Sequence, residues 1–440
     1  TSLNTGFNGG ILGADNPTFH ASVGWDWIST VRGRNMGIWN DVYLSANDGV
    51  SIGDPLLLSK VEDVKGADGT ATMTPTVVVR NHTDSLQQIG LRGWIGDIQF
   101  ERPVELQPYE EREVAFSPDD FPQLKNRQMH LWWPNGYGIP YLYKAGYEIT
   151  SHLSPLTSHL EKVHLEYKAG IRQVTYSDTL TALKLYINGR RFVPLGGNWG
   201  FSEHNLSYRG REYDIAVDYH RQMNFTMIRN WVGQTGDDEF YEACDRHGIM
   251  VWQDFWLANP SDGPNPDDEL MFMRNATDYL KRIRRHPCIA LYCGRNEGYP
   301  PATLNEQLRQ LVGDSHPDMV YIPSSADDGV GGHGPYNALP RKEYFQRPML
   351  KLHTERGMPN VMNYESLCRT LRPEHMWPQN NFWGQHDFTM KGAQRGETFN
   401  ELVKKDQGGY QGYNIQIIDH FNNTEDHSVN TAVAPITVVS

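Results

Sequence analysis

Residues 289–301 read IALYCGRNEGYPP, and the prediction of the fold starts from them. Its first five residues form an apolar run of strand length that stops at a glycine. Asn296 and Glu297 follow at the carboxyl end of this predicted strand. In a parallel α/β barrel the carboxyl ends of the strands build the active site, so a polar pair at this position indicates chemistry.

A second carboxylate occurs in the same setting further along the chain. Residues 349–353, MLKLH, form another strand-like run, and Glu355 comes two residues later. A glycosidase needs two such groups: one carboxylic acid protonates the leaving oxygen, and the other carboxylate attacks or activates water. Either glutamate alone also fits a solvated residue at a strand end. The presence of both favours catalysis.

The chain from residue 184 onward has the pattern of βα repeats. Residues 184–191 predict a hairpin with an Asn-Gly turn, and short apolar strands then alternate with amphipathic helices. Gly248 is expected to cap one of these helices. The predicted strands are residues 193–199, 226–231, 249–255, 289–293, 319–323, 349–353 and 413–420, and the predicted helices are residues 213–223, 238–248, 270–285 and 304–311. With a sixth strand unassigned, the length fits an eight-stranded (β/α)8 TIM barrel of about 250 residues.

The chain before this point is predicted to be β-structure. Residues 55–176 contain short alternating runs separated by turn residues, which indicates a small β-sandwich. Residues 1–50 are rich in glycine and asparagine and contain too few strands for an independent fold. We expect that their domain begins before Thr1 or that these strands pack on the rest of the chain.

Composition narrows the classes of function. The net charge is −13 and no block of lysine or arginine occurs, so the chain has no electrostatic footprint for nucleic acid. There is no apolar run of membrane-spanning length and no leader pattern at Thr1. The 12 Trp and 22 Tyr often stand beside Gly, Asn and Pro, which favours a carbohydrate-facing surface over purely core use. The compartment is left open, with a secreted, periplasmic or lysosome-like location favoured over the cytoplasm.

Polar or aromatic residues recur at the predicted strand ends and form the candidate substrate site. Asn296, beside the acid, could bond a sugar 2-hydroxyl. Arg229 could keep a nucleophile ionised, or it could belong to a structural ion pair. The candidate substrate-binding residues are Asn198, Trp199, Glu203, Arg229, Trp231, Asp254, Asn296, Tyr336, His353 and Trp383.

No cofactor or metal is expected. His353 and Glu355 have a spacing that could suit a metal, but no third ligand stands at a recognisable offset. The four cysteines also lack metal-ligand spacing, and we interpret them as small buried apolar residues. The expected partner is a glycoside or oligosaccharide, without nucleic acid or membrane, and association with further chain segments or a second copy is open.

Several of these segments resemble glycoside hydrolase family 2, and within it the β-mannosidase-like branch. Residues 230–256, NWVGQTGDDEFYEACDRHGIMVWQDFW, are similar to a segment of that branch. GRNEG at 294–298 is similar to the acid/base motif, and TERGMPNVMNYES at 354–366 to the nucleophile motif. Upstream, GWDW and GIWNDVYL resemble the end of a sugar-binding jelly roll, and LWWPNGYGIPYLY resembles an immunoglobulin-like domain.

The resemblance implies a multidomain, exo-acting, retaining β-glycosidase. Glu297 would be the acid/base and Glu355 the nucleophile, with the two carboxyl groups roughly 5 to 5.5 Å apart. The implied domains are residues 1–52 for the end of the jelly roll, 53–178 for the immunoglobulin-like β-sandwich and 179–440 for the TIM barrel.

Three departures from the family pattern leave the sugar open. The first strand continues as NWGFSEHN, Arg295 precedes Asn296, and NIQIIDHFNN stands where the family has a tryptophan-rich segment. β-Mannosides are the favoured substrates, with β-glucosaminides, β-galactosides or β-glucuronides as alternatives. The truncated ends also leave room for a non-catalytic carbohydrate-binding relic, and an inverting hydrolase is a third hypothesis.

Overall fold

The computed structural model describes residues 41–44, 49–152, 163–177, 179–199, 209–233, 235–260, 265–332, 334, 351–355, 365, 368–369 and 371–376. The chain divides into two units, Thr1–Val330 and Gly331–Ser440. The predicted jelly-roll segment lies almost wholly outside the described residues, and the predicted strand at 413–420 lies wholly outside them.

The first part of the larger unit is antiparallel. Its strands are β1 (Val50–Lys65), β2 (Asp68–Asn81), β3 (Gln87–Ile95), β4 (Ile98–Leu106), β5 (Glu111–Ala115), β6 (Arg127–His130), β7 (Tyr143–His152) and β8 (His164–Ala169). One sheet has the order β1-β2-β5, with β6 also paired to β2, and the other has the order β4-β3-β7-β8. We call these two sheets the antiparallel part.

Alternating sequence explains how the two sheets share a core. Along β3 every second residue from Ile89 to Ile95 is buried and the intervening residues are less buried, because successive side chains point to opposite faces. Across the core, the ring centroids of Phe100 and Phe116 are 4.6 Å apart. The predicted β-structure of this region is confirmed by its strands and register.

Three short strands lead from the antiparallel part to the parallel part. They are β9 (Val174–Tyr176), β10 (Leu185–Ile187) and β11 (Arg190–Phe192), in the order β11-β10-β9. The turn between β10 and β11 places Asn188 at φ 50° and Gly189 at φ 77°. Left-handed backbone at both positions is what an Asn-Gly hairpin turn requires, so the predicted hairpin is confirmed.

The parallel part contains five strands in sequential order. They are β12 (Gly196–Asn198), β13 (Met227–Asn230), β14 (Met250–Asp254), β15 (Ile289–Arg295) and β16 (Val320–Ser324). The helices are α1 (Arg211–Gln222), α2 (Asp238–His247), α3 (Glu269–Ile283) and α4 (Ala302–Ser315). Every residue of β14 and β15 is buried, as expected for strands covered on both faces.

Capping residues at the helix ends make these helices recognisable in the sequence. Gly248 follows α2 at φ 71°, and its N–H donates to the carbonyl of Cys244, so the predicted cap is confirmed. At the start of α3 the Asp268 side chain accepts the N–H of Met271 at 2.9 Å. Within the described residues, no helix is both long enough and apolar enough to cross a membrane.

A loop of the antiparallel part, residues 132–135, is bonded to the helix ends of the parallel part. The Trp132 indole N–H and the backbone and side-chain N–H groups of Asn135 are the donors. The acceptors, at 2.7–3.0 Å, are the carbonyls of Arg221, Phe225, Asp245 and Gly248. Carbonyls at or just after a helix end lack partners within the helix, so this loop supplies donors to carbonyls at the ends of α1 and α2.

The smaller unit is described over few residues. Its elements are the end of β17 (Val330–Gly331), β18 (Leu352–His353) and the short helix α5 (Pro373–Met376).

The cysteines give a first prediction. Cys244, Cys288 and Cys293 are buried, and burial raises the pKa of each thiol well above its ordinary value, whereas Cys368 is exposed. We expect a thiol reagent to modify one group in the native chain at pH 8 and all four in denaturant. Cys368→Ser is the control and should leave no fast-reacting thiol. Rapid native reaction of two or more groups would contradict the buried placement.

Candidate active site

The carboxyl ends of β13 to β16 bring five polar residues together. Arg229 lies in β13, Asp254 ends β14, Asn296 and Glu297 follow β15, and Ser325 follows β16. Because the four strands are parallel neighbours, these residues share one edge of the sheet.

A buried ion pair forms the base of this site. Arg229 and Asp254 have side-chain exposures of 1% and 0%, with Arg229 Nη2 at 2.7 Å and Nε at 3.0 Å from Asp254 Oδ2. Asp254 also accepts the Trp252 indole N–H at 2.6 Å and the Val232 N–H at 3.0 Å. Burial raises the pKa of the Asp254 carboxyl, and Arg229 and the Val232 amide act in the opposite direction. The side chains therefore match the structural ion-pair alternative for Arg229.

The Arg229–Asp254 ion pair contacts Asn296 through the Arg229 guanidinium. Its Oδ1 accepts from Arg229 Nη2 at 2.7 Å, from Trp231 Nε1 at 3.1 Å and from Ser325 Oγ at 3.4 Å. Guanidinium and indole groups can only donate, so these contacts fix which side of the amide is the oxygen. The Nδ2 donor consequently faces away from Arg229 and Trp231.

Glu297 has an unusual backbone conformation. It lies at φ 50°, a region that residues other than glycine rarely adopt, and its side chain is partly exposed. Its N–H donates to Ser325 Oγ at 2.9 Å. The candidate acid/base is thus on the open side of the strand end, while the neighbouring Asn296 is buried.

The segment after β13 has a second left-handed turn. Val232 lies at φ 44° and Gly233 at φ 63°, and positive φ is rare for a β-branched residue. The bond from the Val232 N–H to Asp254 spans this turn. It follows directly on Trp231, whose indole contacts Asn296. Strained backbone of this kind concentrates at functional sites.

The two candidate substrate-binding residues at the end of β12, Asn198 and Trp199, differ in exposure. Asn198 is exposed at the end of β12. Trp199 is only 3% exposed and packs against Tyr213 and Phe240, with ring centroids 6.1 and 5.1 Å apart. The indole lies in the core beside α1 and α2, since apolar rings of these helices surround it.

The smaller unit holds the second glutamate. Glu355 is 7% exposed. The preceding His353 donates from Nε2 to the carbonyl of Gly334 at 2.7 Å, and Thr354 Oγ1 donates to the carbonyl of Gly332 at 3.1 Å. These bonds join the two residues before Glu355 to the backbone carbonyls of Gly332 and Gly334.

Three candidates lie outside the described residues, namely Glu203, Tyr336 and Trp383. No group of three or more His, Cys, Asp or Glu that could hold a metal occurs in the part of the chain that the structure describes. Ser325 is not one of the residues predicted from the sequence. The signal for it is the pair Ser324-Ser325 directly after the fifth predicted strand, a polar strand end like the others.

Comparison with known proteins gives two informative sequence relatives. A mannosylglycoprotein endo-β-mannosidase of Lilium longiflorum is 33% identical over 317 residues, which cover 68% of this chain and 32% of the relative. An exo-β-D-glucosaminidase of Streptomyces avermitilis is 26% identical over 392 residues, 82% of this chain and 42% of the relative. The chain thus spans less than half the length of these curated relatives. No family model matches the sequence.

The fold has solved counterparts. The exo-β-D-glucosaminidase CsxA of Amycolatopsis orientalis superposes with a TM-score of 0.69 at 15% identity, over 87% of this chain and 47% of that one. At this identity the likeness concerns the fold alone. The sequence relatives are named as a β-mannosidase and a β-glucosaminidase, both glycoside hydrolases. In sequence and in fold the chain is similar to the β-mannosidase-like members of glycoside hydrolase family 2.

Proposed function

We propose that the chain is a retaining exo-β-glycosidase that removes terminal β-linked sugars, with β-mannosides as the preferred substrates. The observation that supports this most is the Asn296–Glu297 pair after β15, where a buried, orientated amide stands beside a partly exposed carboxyl group. The proposal includes a (β/α)8 barrel completed by later strands and preceded by an immunoglobulin-like sandwich and the end of a jelly roll.

The proposed reaction is a double displacement. Glu355 attacks the anomeric carbon and forms a covalent glycosyl-enzyme, while Glu297 gives its proton to the departing glycosidic oxygen. Water then attacks the anomeric carbon, Glu297 takes a proton from it, and the bond to Glu355 breaks. Two inversions return the β-configuration. The mechanism requires carboxyl groups about 5 to 5.5 Å apart.

The other polar residues divide into contact and positioning roles. Asn296 Nδ2 is the donor for a sugar 2-hydroxyl, since Oδ1 is occupied by Arg229 and Trp231. Arg229 and Asp254 act through Asn296 because both side chains are buried. The residues proposed to line the sugar pocket are Asn198, Glu203, Trp231, Tyr336, His353 and Trp383.

The sugar that the enzyme removes is proposed to be mannose, and glucosamine is the second candidate. The lily relative is named a β-mannosidase and the Streptomyces relative a β-glucosaminidase. A panel of aryl β-glycosides tests the choice: mannoside, glucosaminide, galactoside, glucuronide and glucoside. We expect the mannoside to have the highest kcat/KM, and NMR should show the β-anomer as the first product. A first product of α-configuration would contradict the retaining mechanism.

Other outcomes of the same panel separate the rivals. A preference for glucosaminide would keep the mechanism and change the sugar. Because the lily relative is named an endo-acting enzyme, an oligosaccharide with an internal β-mannosyl bond belongs in the panel. Cleavage of that bond without release of terminal sugar would replace the exo assignment. Sugar binding without any turnover would support a non-catalytic relic.

A further inference from the structure

We infer that Ser325 is a positioning residue that sets the direction of the Glu297 carboxyl group, an inference that rests on the proposed function. Ser325 immediately follows β16 and is fully buried, one strand away from the candidate acid/base. It touches no atom of the proposed reaction except through its neighbours.

The Ser325 hydroxyl links the two residues of the catalytic pair. Its oxygen accepts the Glu297 N–H at 2.9 Å, and its proton points to Asn296 Oδ1 at 3.4 Å. The Ser325 N–H donates to the carbonyl of Arg295 at 3.1 Å. A hydroxyl has one proton and two lone pairs, so the Ser325 side chain can accept from the Glu297 N–H and donate to Asn296 Oδ1 at the same time. Three consecutive residues are thereby tied to one serine.

The tie matters because Glu297 lies at φ 50°. Left-handed backbone is unfavourable for a residue with a side chain, and a hydrogen bond to the backbone helps to hold it. Without the serine oxygen, the Glu297 N–H loses its bond, and the residue can return to negative φ. The Cα–Cβ direction then changes, and the carboxyl group moves away from the glycosidic oxygen.

The neighbouring bonds confine this effect to Glu297. Asn296 keeps its N–H bond to the carbonyl of Leu257 at 3.0 Å and its contacts with Arg229 and Trp231. Loss of the serine hydroxyl therefore leaves the amide in place. The change expected is a failure of proton donation, with sugar binding retained.

Ser324 provides a matched control. It is equally buried, but its Oγ donates to Asp327 Oδ2 at 2.8 Å and accepts the Ala326 N–H at 3.1 Å. Ser324→Ala removes the same atom one residue earlier without touching Asn296 or Glu297. Comparing the two variants separates loss of a buried hydroxyl from misplacement of the acid.

The test is kcat/KM of the 440-residue chain against aryl glycosides whose leaving groups differ in pKa. A dinitrophenol departs without a proton, whereas a methoxyphenol needs one. We expect Ser325→Ala to lose about 10–100-fold on the methoxyphenyl glycoside and less than about threefold on the dinitrophenyl glycoside. Ser324→Ala should lose equally little on both. Glu297→Ala, the reference variant, should show the same slope with losses of about 10²–10⁴-fold on the poor leaving group.

The outcomes separate this inference from the proposed function. Equal losses of Ser325→Ala on both glycosides, or none, would overturn the positioning role. If Glu297→Ala itself shows no dependence on the leaving group, the acid/base assignment fails instead. A crystal structure of Ser325→Ala gives a readout independent of turnover. Glu297 moved to negative φ supports the inference, and Glu297 retained near +50° overturns it.

Discussion

Glu355→Ala is expected to lower kcat for aryl β-glycosides by at least about 10⁴-fold, the scale of loss when a covalent nucleophile is removed. The first displacement has no substitute nucleophile, because water at that face lacks the fixed position of a side chain. Steady-state hydrolysis of a dinitrophenyl glycoside measures the effect most sensitively, since its departure needs no acid. Near-wild-type turnover would remove Glu355 from the mechanism.

Rescue and a control make this result specific. Azide can enter the space left by the carboxylate and attack the anomeric carbon once. The product should be a glycosyl azide of α-configuration, inverted relative to the substrate, and its anomeric proton identifies it by NMR. Glu374, an exposed glutamate on α5 of the same unit, provides the control. Glu374→Ala should keep wild-type turnover.

Asp254→Leu is expected to destabilise the chain by about 3–5 kcal/mol, because it leaves the Arg229 guanidinium buried without its countercharge. The same change removes the acceptors of the Val232 amide and the Trp252 indole. Urea unfolding at pH 7, followed by tryptophan fluorescence, measures the loss. A cost below about 1 kcal/mol would show that the pair is not buried in solution.

Two companion variants test the cause of that loss. Arg229→Met combined with Asp254→Leu removes both charges, and it should regain a large share of the stability. Asp214 bonds to Arg246 with both side chains nearly half exposed, so Asp214→Leu should cost less than about 1 kcal/mol. A double variant no better than Asp254→Leu would point to the lost amide and indole bonds as the main term.

The sequence predicts this fold well where the signals are local. Apolar runs bounded by glycine or proline locate β12 to β16 and their helices to within a few residues. Gly248 and the Asn188-Gly189 turn are identified because left-handed backbone favours those residue types. The domain boundaries, the TIM barrel and the roles of the site residues stay predictions.

The environment of a side chain depends on contacts with residues far away in the sequence, and it is harder to predict. A polar residue at a strand end looks the same whether it faces a substrate or, like Asp254, a buried arginine in the neighbouring strand. Trp199 similarly gives no sign that α1 and α2 will enclose it. Ser325 is recognisable only once β15 and β16 are known to be neighbours. Its donor, the Glu297 N–H, lies 28 residues away, and its acceptor, Asn296 Oδ1, lies 29 residues away.

The loop at residues 132–135 has a consequence for how such proteins recombine. Its donors bond to carbonyls at the ends of α1 and α2, so the two parts of the larger unit share these hydrogen bonds. In a chimera that replaces the antiparallel part, the incoming sequence must therefore supply an indole and an amide equivalent to those of Trp132 and Asn135. We therefore expect relatives of this chain to keep the two parts together in one chain.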